Sequence, residues 1–260
     1  MNTMKKYKVF VINLKKDIDR KSQMKKKLSK FNFKVIFFNA ITGDYRKNEY
    51  SELKRKLFLG RSLLKSEIGC TESHLAILKE IVKTKLAYAV IFEDDILIKD
   101  NFEKVVENLL AIDYKWDLIR FNHKNKYKDL KGRVVLKLND DYFLKRFPKL
   151  PGGAYGYLVS LDGAQKILKM SNSYYHPFDI LIGQTWKQNL NSLFCTPSPV
   201  DHPPVPMHIE ENDPRYFKVE KSLLSLYPYT RFFFKLYEAF MKWGHFLYKS
   251  VPDYFTRKKY

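Results

Sequence analysis

The chain has 260 residues, of which 45% are hydrophobic and 29% are charged. This composition is typical of a globular protein and excludes a wholly disordered chain, a collagen-like repeat and a polytopic membrane protein. Lys and Arg outnumber Asp and Glu by 48 to 28, which gives a formal net charge of +20. A surface this positive attracts polyanions such as nucleic acid, anionic lipid or phosphorylated small molecules, and charge alone does not choose among them.

The first two thirds of the chain alternate between predicted strands and helices. A strand at 7–13, a basic amphipathic helix at 17–30 and a strand at 34–39 form a βαβ opening, which favours a parallel sheet. The segment 46–64 is basic and irregular. Further strands are predicted at 87–92, 116–121 and 155–160, and further helices at 72–85, 101–111, 164–170 and 178–188.

Cysteine usage and hydropathy indicate the compartment. Cys70 and Cys195 lie far apart in the sequence, with no CxxC motif or Cys/His cluster, so neither a disulfide framework nor a structural zinc site is expected. The apolar run at 9–12 is too short for a signal peptide. No stretch approaches the roughly 20 apolar residues of a membrane-spanning helix. We therefore expect the protein to stay on the cytoplasmic side of the membrane.

The strongest chemical signal is three consecutive acids, Glu93, Asp94 and Asp95, at the end of an apolar predicted strand. In an extended chain, residues i and i+2 point to one side, so Glu93 and Asp95 converge while Asp94 faces away. Ligands of open α/β sheets bind at the carboxyl ends of strands, where carboxylates suit a hard divalent cation that also contacts phosphate. The alternative is a solvated turn before the next helix. Walker A, GxGxxG and HExxH motifs are absent from the sequence.

Four blocks in chain order resemble glycosyltransferase family 25, which includes bacterial lipooligosaccharide glycosyltransferases and collagen galactosyltransferases. The blocks are VINLKKDIDR at 11–20, KSEIGCTESH at 65–74, FEDD at 92–95, and GYLVS at 156–160 with GA at 163–164. The resemblance implies an α/β, GT-A-like nucleotide-sugar-binding fold with a mixed, mostly parallel sheet. It also implies a metal-assisted reaction that inverts the anomeric carbon.

The resemblance assigns the acidic block to the family's DxD-type motif. Asp95 is then the first metal ligand, Glu93 is a second ligand or a ribose contact, and Asp94 reaches the sugar hydroxyls. The expected cofactor is Mn²⁺ or Mg²⁺, which neutralises the charge that develops on the diphosphate leaving group. The first residue of the block is Glu instead of Asp, which leaves the division of labour between Glu93 and Asp95 open.

Inversion by direct displacement needs a general base that takes the acceptor hydroxyl proton. The candidate is Asp179, at a predicted helix N-terminus behind Pro177. The alternative is that the helix dipole alone favours an acid at this position. The other candidates for the base are Asp162, Glu210 and Glu211.

The remaining candidate residues lie in or near the first two blocks. His74 is a donor-site residue by resemblance, or a core histidine on the apolar face of its helix. Glu67 and Gly69 lie on a loop expected to approach the donor. Asn13 and Arg20 are candidates for holding the uridine or the strand–helix turn. Cys70, in the second block, is interpreted as a small buried hydrophobic residue. Beyond the blocks, Asp201 and His202 either supply a further metal ligand or belong to a proline-rich loop.

The last part of the chain differs in composition. We predict a GT-A-like domain at 1–218 and a basic, aromatic helical tail at 219–260. Aromatic residues at helical spacing and lysines on another line of the helix suit the interface of an anionic membrane. The alternative is that these aromatic residues pack on the first domain or on a partner.

The residues and the resemblance together favour one function. The chain is expected to transfer a hexose, with galactose from UDP-galactose the favoured donor, onto a lipooligosaccharide core sugar at the inner face of the cytoplasmic membrane. A nucleic-acid-binding protein without catalytic activity is the alternative. It explains the net charge but leaves Glu93, Asp94 and Asp95 without a purpose, so no nucleic-acid partner is expected. A peripheral membrane adaptor would account for the tail alone.

Overall fold

A computed structural model describes residues 7–43, 49–121, 132–148, 152–202 and 227–259. The strands of this described part are β1 Tyr7–Asn13, β2 Val35–Asn39, β3 Tyr88–Glu93, β4 Leu97–Ile98, β5 Leu118–Arg120, β6 Arg133–Lys137, β7 Phe143–Arg146, β8 Gly156–Ser160, β9 Ser192–Thr196 and β10 Val200–Asp201. Its helices are α1 Ile18–Leu28, α2 Glu52–Leu59, α3 Lys65–Lys83, α4 Phe102–Ala111, α5 Leu161–Ser171, α6 Phe178–Leu181 and α7 Tyr227–Lys259, with a 3-10 helix at Thr185–Gln188.

Eight of these strands form one mixed sheet in the order β2-β1-β3-β8-β5-β9-β7-β6. The mixed α/β class is as predicted. The expectation of a mostly parallel sheet needs correction, because four of the seven neighbouring pairs in the described sheet are antiparallel. Strand β8 runs against both of its neighbours, and β7 and β6 form a hairpin at one edge. The βαβ opening is parallel, as its crossover helix requires.

The core lies on both faces of the sheet. In β3, Val90 and Phe92 point to the layer that contains α1 and α4, whereas Ala89 and Ile91 point to the layer of α3, α5 and α6. Burial on both faces explains why this strand is continuously apolar in sequence. The polar residues that follow it are therefore the first that can reach solvent at this edge of the sheet.

Several elements differ from the sequence prediction. The predicted irregular segment at 46–64 contains α2, which begins after the Ser51 cap and ends at Gly60 in the left-handed region (φ 73°). Helix α3 begins at Lys65, about two turns before the predicted start at 72. The predicted helix at 178–188 is instead the single turn α6 followed by a 3-10 helix. Strands β6, β7 and β9 were not predicted.

The predicted C-terminal helix is present as α7, and it packs on the rest of the molecule. The Phe234 ring stacks on Phe58 of α2, with ring centroids 4.9 Å apart. Near the other end of α7, Asp253 forms a buried ion pair with Arg146 of β7. The predicted domain boundary at 218/219 lies outside the described residues. Among the helices that are described, none has a stretch long and apolar enough to cross a membrane.

Candidate active site

The site is built where two parallel neighbours, β1 and β3, end side by side. In their register Ile12 faces Glu93, so Asn13 and the acidic triplet emerge at the same edge of the sheet. Directly after the triplet, β4 pairs with β10 in antiparallel fashion, with Leu97 facing Asp201. This second pairing brings the chain around residue 202 back to the acids.

Asp94 is held by two donors from the first block. Its Oδ2 accepts a 2.6 Å hydrogen bond from Asn13 Nδ2, and its Oδ1 accepts one of 3.2 Å from Arg20 Nη1. Burial raises the pKa of Asp94. The hydrogen bond from Asn13, together with the charge and hydrogen bond of Arg20, offsets part of this rise. Asn13 and Arg20 therefore orient Asp94.

Asp95 shares Arg20 with Asp94 and also faces His202. Its Oδ2 lies 3.2 Å from His202 Nε2 and 3.9 Å from Arg20 Nη1. Its Oδ1 is buried and has no hydrogen-bond partner among the described residues. Burial acts to raise the pKa of Asp95, but the hydrogen bond and charge of His202, assisted by Arg20, outweigh it and lower that pKa. The carboxylate is thus ionised and keeps one oxygen available for a cation.

Glu93 lies beside the second block of the sequence. Its Oε1 is 3.7 Å from Nε2 of His74, whose Nδ1 lies 2.9 Å from the hydroxyl of Tyr157 on β8. His74 is fully buried and stacks on the Phe178 ring at 4.2 Å, with the two planes nearly parallel. His74 is therefore buried like a core histidine, and it also lies beside Glu93 of the site. The core interpretation explains its burial, and the donor-site interpretation explains its position next to Glu93.

Asp179 joins α6 to the loop before β8. Its Oδ2 accepts a 2.9 Å hydrogen bond from the Gly153 amide, and its Oδ1 accepts one from the amide of Ile180. A Cβ on Gly152 would lie 3.3 Å from the same Oδ2, so this loop passes close to the carboxylate. Asp179 is half-buried, and each of its carboxylate oxygens can accept a further hydrogen bond besides the one from these amides.

Cys70 marks the point at which the acids converge. The pKa of its thiol is raised well above its ordinary value by burial and then by four negatively charged neighbours: Glu93, Asp179, Glu67 and Asp95. Solvent still reaches the side chain. The solvent exposure of Cys70 corrects its interpretation as a buried hydrophobic residue.

Cys70, His74 and Glu93 also form a group whose ligand atoms all lie within 4.8 Å of one another. The absence of a Cys/His cluster inferred from the sequence is therefore corrected. Cys70 and His74 are four residues apart on α3, which puts them on one face of the helix. That spacing was the available sequence signal, and Glu93 joins them only through the packing of α3 on β3.

Glu67 and Gly69 have contacts that explain them structurally. Glu67 accepts a 2.8 Å hydrogen bond from the Leu64 amide, which caps α3, and it pairs with Arg61 at 3.1 Å. A Cβ at Gly69 would lie 2.5 Å from the Ile41 carbonyl oxygen, so only glycine allows this approach of α3 to the chain after β2. Their predicted donor-site roles stay predictions.

The structure sorts the remaining candidates. Asp162 pairs with the exposed Lys115 and follows β8 at the end of the sheet opposite Glu93, since β8 runs antiparallel to β3. That position removes Asp162 as a base. Asp201 points to Lys99 at 3.8 Å, whereas its neighbour His202 faces Asp95. Glu210 and Glu211 lie outside the described residues.

Comparison with known proteins identifies relatives. The model of "Glycosyltransferase family 25 (LPS biosynthesis protein)" matches residues 6–182. Procollagen galactosyltransferase 1-A of Xenopus laevis is 32% identical over 177 residues, covering 62% of this chain and 28% of that protein. Inactive glycosyltransferase 25 family member 3 of Mus musculus is 31% identical over 179 residues, covering 62% of this chain and 28% of that protein.

The chain thus spans less than a third of the length of these relatives. Among solved structures, A197 from STIV aligns with a TM-score of 0.32 and 10% sequence identity, covering 72% of this chain and 80% of that one. This similarity is too low to define the fold. The family match covers more than half of the chain and includes all four sequence blocks, so the chain belongs to glycosyltransferase family 25.

Proposed function

We propose that this protein transfers a hexose, galactose from UDP-galactose, to a saccharide of a lipooligosaccharide core. The family match and the galactosyltransferases among the relatives support the reaction class. Several relatives carry the name of an inactive or probable inactive member, so the assignment of activity depends on the acidic site itself. The observation that carries it is the buried, unpartnered Oδ1 of the ionised Asp95 beside His202.

These residues fit a divalent cation. Asp95 offers a carboxylate oxygen that has no protein donor, and the adjacent His202 offers an imidazole nitrogen, which would give up its proton on binding a cation. The carboxylate of Glu93 lies beside His74 and not beside Asp95. We therefore assign Asp95 and His202 as the metal ligands and keep Glu93 as a secondary ligand. When bound, Mn²⁺ or Mg²⁺ would stabilise the negative charge on the diphosphate leaving group.

The other residues of the site would position the two substrates. Arg20, 3.2 Å from Asp94 and 3.9 Å from Asp95, fixes both carboxylates and adds positive charge where a diphosphate would bind. Asp94, oriented by Asn13, would accept hydrogen bonds from the donor sugar. Asp179 would accept the acceptor hydroxyl proton as that oxygen attacks the anomeric carbon and the nucleoside diphosphate leaves with inversion. A GT-A-like arrangement of the sheet is part of this proposal.

The test is a transfer assay with the full chain. UDP-galactose, UDP-glucose and UDP-N-acetylglucosamine are each incubated with truncated lipooligosaccharide or a procollagen peptide, with Mn²⁺, Mg²⁺ or a chelator, and products are detected by mass. We expect addition of one hexose from UDP-galactose to lipooligosaccharide, and loss of that product in Asp95→Asn. The matched control is Asp201→Asn, whose side chain faces Lys99. Equal turnover by Asp95→Asn and the unaltered chain would contradict the proposal.

A further inference from the structure

One side of α7 exposes a continuous line of large apolar side chains. Each of them is 49–76% exposed, and nine of the twelve are aromatic: Tyr229, Phe232, Phe233, Leu236, Tyr237, Phe240, Trp243, Leu247, Tyr248, Val251, Tyr254 and Phe255. At 3.6 residues per turn they fall within about 160° of the helix circumference and extend over about 39 Å. We call these twelve residues the aromatic stripe. Exposed apolar surface of this extent indicates an interaction site.

The opposite side of α7 is fixed to the domain. Phe234 stacks on Phe58 at 4.9 Å, and the side chain of Asp253 is fully buried against Arg146. Between them, Gln184 donates a 3.0 Å hydrogen bond to Glu238. Because contacts at both ends and in the middle hold this face, α7 cannot rotate to bury the aromatic stripe. The stripe therefore remains available to a partner.

The charges of α7 indicate the kind of partner. The helix contains seven Lys or Arg and two acids, Glu238 and Asp253. Both acids point to the domain, where they meet Gln184 and Arg146. No carboxylate belongs to the aromatic stripe. A partner with negative charge is therefore favoured electrostatically.

The same charge argues against a second copy of the chain as the occupant. Two chains that each carry a net charge of +20 repel each other when they approach along a basic helix. Phe, Tyr and Trp also suit the boundary between water and acyl chains, where the rings are buried and polar tips reach the headgroups.

We propose that the aromatic stripe docks on the surface of an anionic lipid bilayer, with α7 lying in the plane of the membrane. The helix stays at the surface because its other face is packed on the protein, so lipid contacts the stripe alone. The net positive charge draws the protein to the anionic headgroups, and the aromatic side chains then insert among them. This inference does not depend on the reaction proposed above.

The experiment measures co-sedimentation of the full chain with phosphatidylcholine vesicles that contain or lack phosphatidylglycerol. We expect binding at least about tenfold tighter to the anionic vesicles, weakened by high salt. The double variant Phe240→Glu/Trp243→Glu should reduce this binding about tenfold or more, because it places carboxylates in the stripe. The control is Ile18→Glu on α1, where the wild-type side chain is 72% exposed. Circular dichroism of all variants checks that they fold.

Three results would overturn the proposal. They are undetectable binding of the unaltered chain to anionic vesicles, equal binding by the double variant, and equal loss of binding in Ile18→Glu. Light scattering supplies a further check. A dimer of the unaltered chain that the double variant dissociates, together with no vesicle binding, would assign the aromatic stripe to a second copy.

Discussion

Asn13 Nδ2 donates a 2.6 Å hydrogen bond to Oδ2 of Asp94, which joins the ends of two parallel strands that are 81 residues apart in sequence. The same Nδ2 lies 3.2 Å from the Asp17 carbonyl oxygen, at the turn that leads into α1. One amide group thus links β1, the first turn of α1 and the acidic triplet. Its position explains why the first sequence block and the acidic block belong to one site.

Replacing Asn13 with Asp should destabilise the protein. The variant removes a donor from the partly buried Asp94 and places a second carboxylate beside it, so we expect the free energy of unfolding to fall by about 1–3 kcal/mol at neutral pH. Urea denaturation measures the change. The control is the same substitution at Asn172, which is exposed at the end of α5. If both variants unfolded at the same urea concentration, the Asn13–Asp94 hydrogen bond would not contribute measurably to the free energy of unfolding.

Replacing His202 with alanine should reduce activity much more than replacing its neighbour Asp201. His202→Ala removes the imidazole beside Asp95, so we expect transfer to fall about 10–100-fold and the metal concentration for half-maximal activity to rise. Asp201→Ala removes a 58% exposed side chain that faces Lys99, and activity should stay within about twofold. A metal titration of activity with each variant makes the measurement. An unchanged titration curve for His202→Ala would refute its assignment as a ligand.

If Asp179 is the general base, its replacement should reduce turnover without weakening the binding of UDP. Asp179→Asn retains an oxygen that can accept the hydrogen bond from Gly153 but removes the basic carboxylate. We expect turnover to fall about 10²–10⁴-fold while calorimetry shows an unchanged dissociation constant for UDP. Asp162→Asn, at the opposite end of the sheet, serves as the control. Retained turnover in Asp179→Asn would move the general base to another group.

The central sheet could be predicted from local sequence because its strands are buried on both faces. The run at 88–92 carries no charged residue, and residues 89–92 are buried, as packing on both faces requires. In the hairpin of β6 and β7, which was not predicted, burial alternates regularly along β7 but not along β6, where a register shift falls between Val134 and Leu136. Helix α2 was missed since its lysines mask the apolar positions.

The candidate site was predictable where it depends on strand ends and not where it depends on long-range pairing. The acidic triplet follows an apolar strand, so its position at the sheet edge could be expected. The contact of Asp95 with His202 requires the pairing of two-residue strands, β4 and β10, whose sequences carry no distinct signal. The convergence of charge on Cys70 likewise arises from packing between α3, β3 and α6.

Acid should weaken the contact between α7 and the domain. His176 is 3% exposed beside Phe234, and burial, followed by the charges of Arg55, Lys187 and Lys242, lowers its pKa to about 3. Glu238 lies 4.0 Å away and does not compensate. The unfolded chain takes up this proton near pH 6.5 and the folded chain only near pH 3. Stability therefore falls as the pH drops through this window.

The expected loss from His176 between pH 6.5 and pH 4.5 is about 2.3 kcal/mol, since one pH unit corresponds to about 1.4 kcal/mol and the unfolded chain is already half protonated at pH 6.5. Urea denaturation across this range gives the slope of stability against pH. The variant His176→Phe has no titrating ring, so its slope should be shallower than that of the unaltered chain, whatever its absolute stability. Parallel slopes would show that His176 does not resist protonation in the folded state.

The buried pair of Arg146 and Asp253 should be essential for anchoring α7. Arg146 Nε and Nη2 donate to the two carboxylate oxygens of Asp253 at 2.6 and 3.1 Å, and both side chains are at most 5% exposed. Asp253→Ala leaves the guanidinium charge buried without its carboxylate, so we expect a loss of about 3–5 kcal/mol in the free energy of unfolding. Trypsin should then cleave α7 faster.

Two comparisons make this last prediction specific. Asp162→Ala breaks the exposed pair with Lys115 and should cost less than about 1 kcal/mol. The double variant Arg146→Met/Asp253→Leu removes both buried charges together, and it should recover most of the stability lost in Asp253→Ala, because no unpaired ion remains. If Asp253→Ala unfolded at the same urea concentration as Asp162→Ala, the ion pair would not hold α7 on the domain. In that case the outward orientation of the aromatic stripe would depend on the Phe58–Phe234 contact instead.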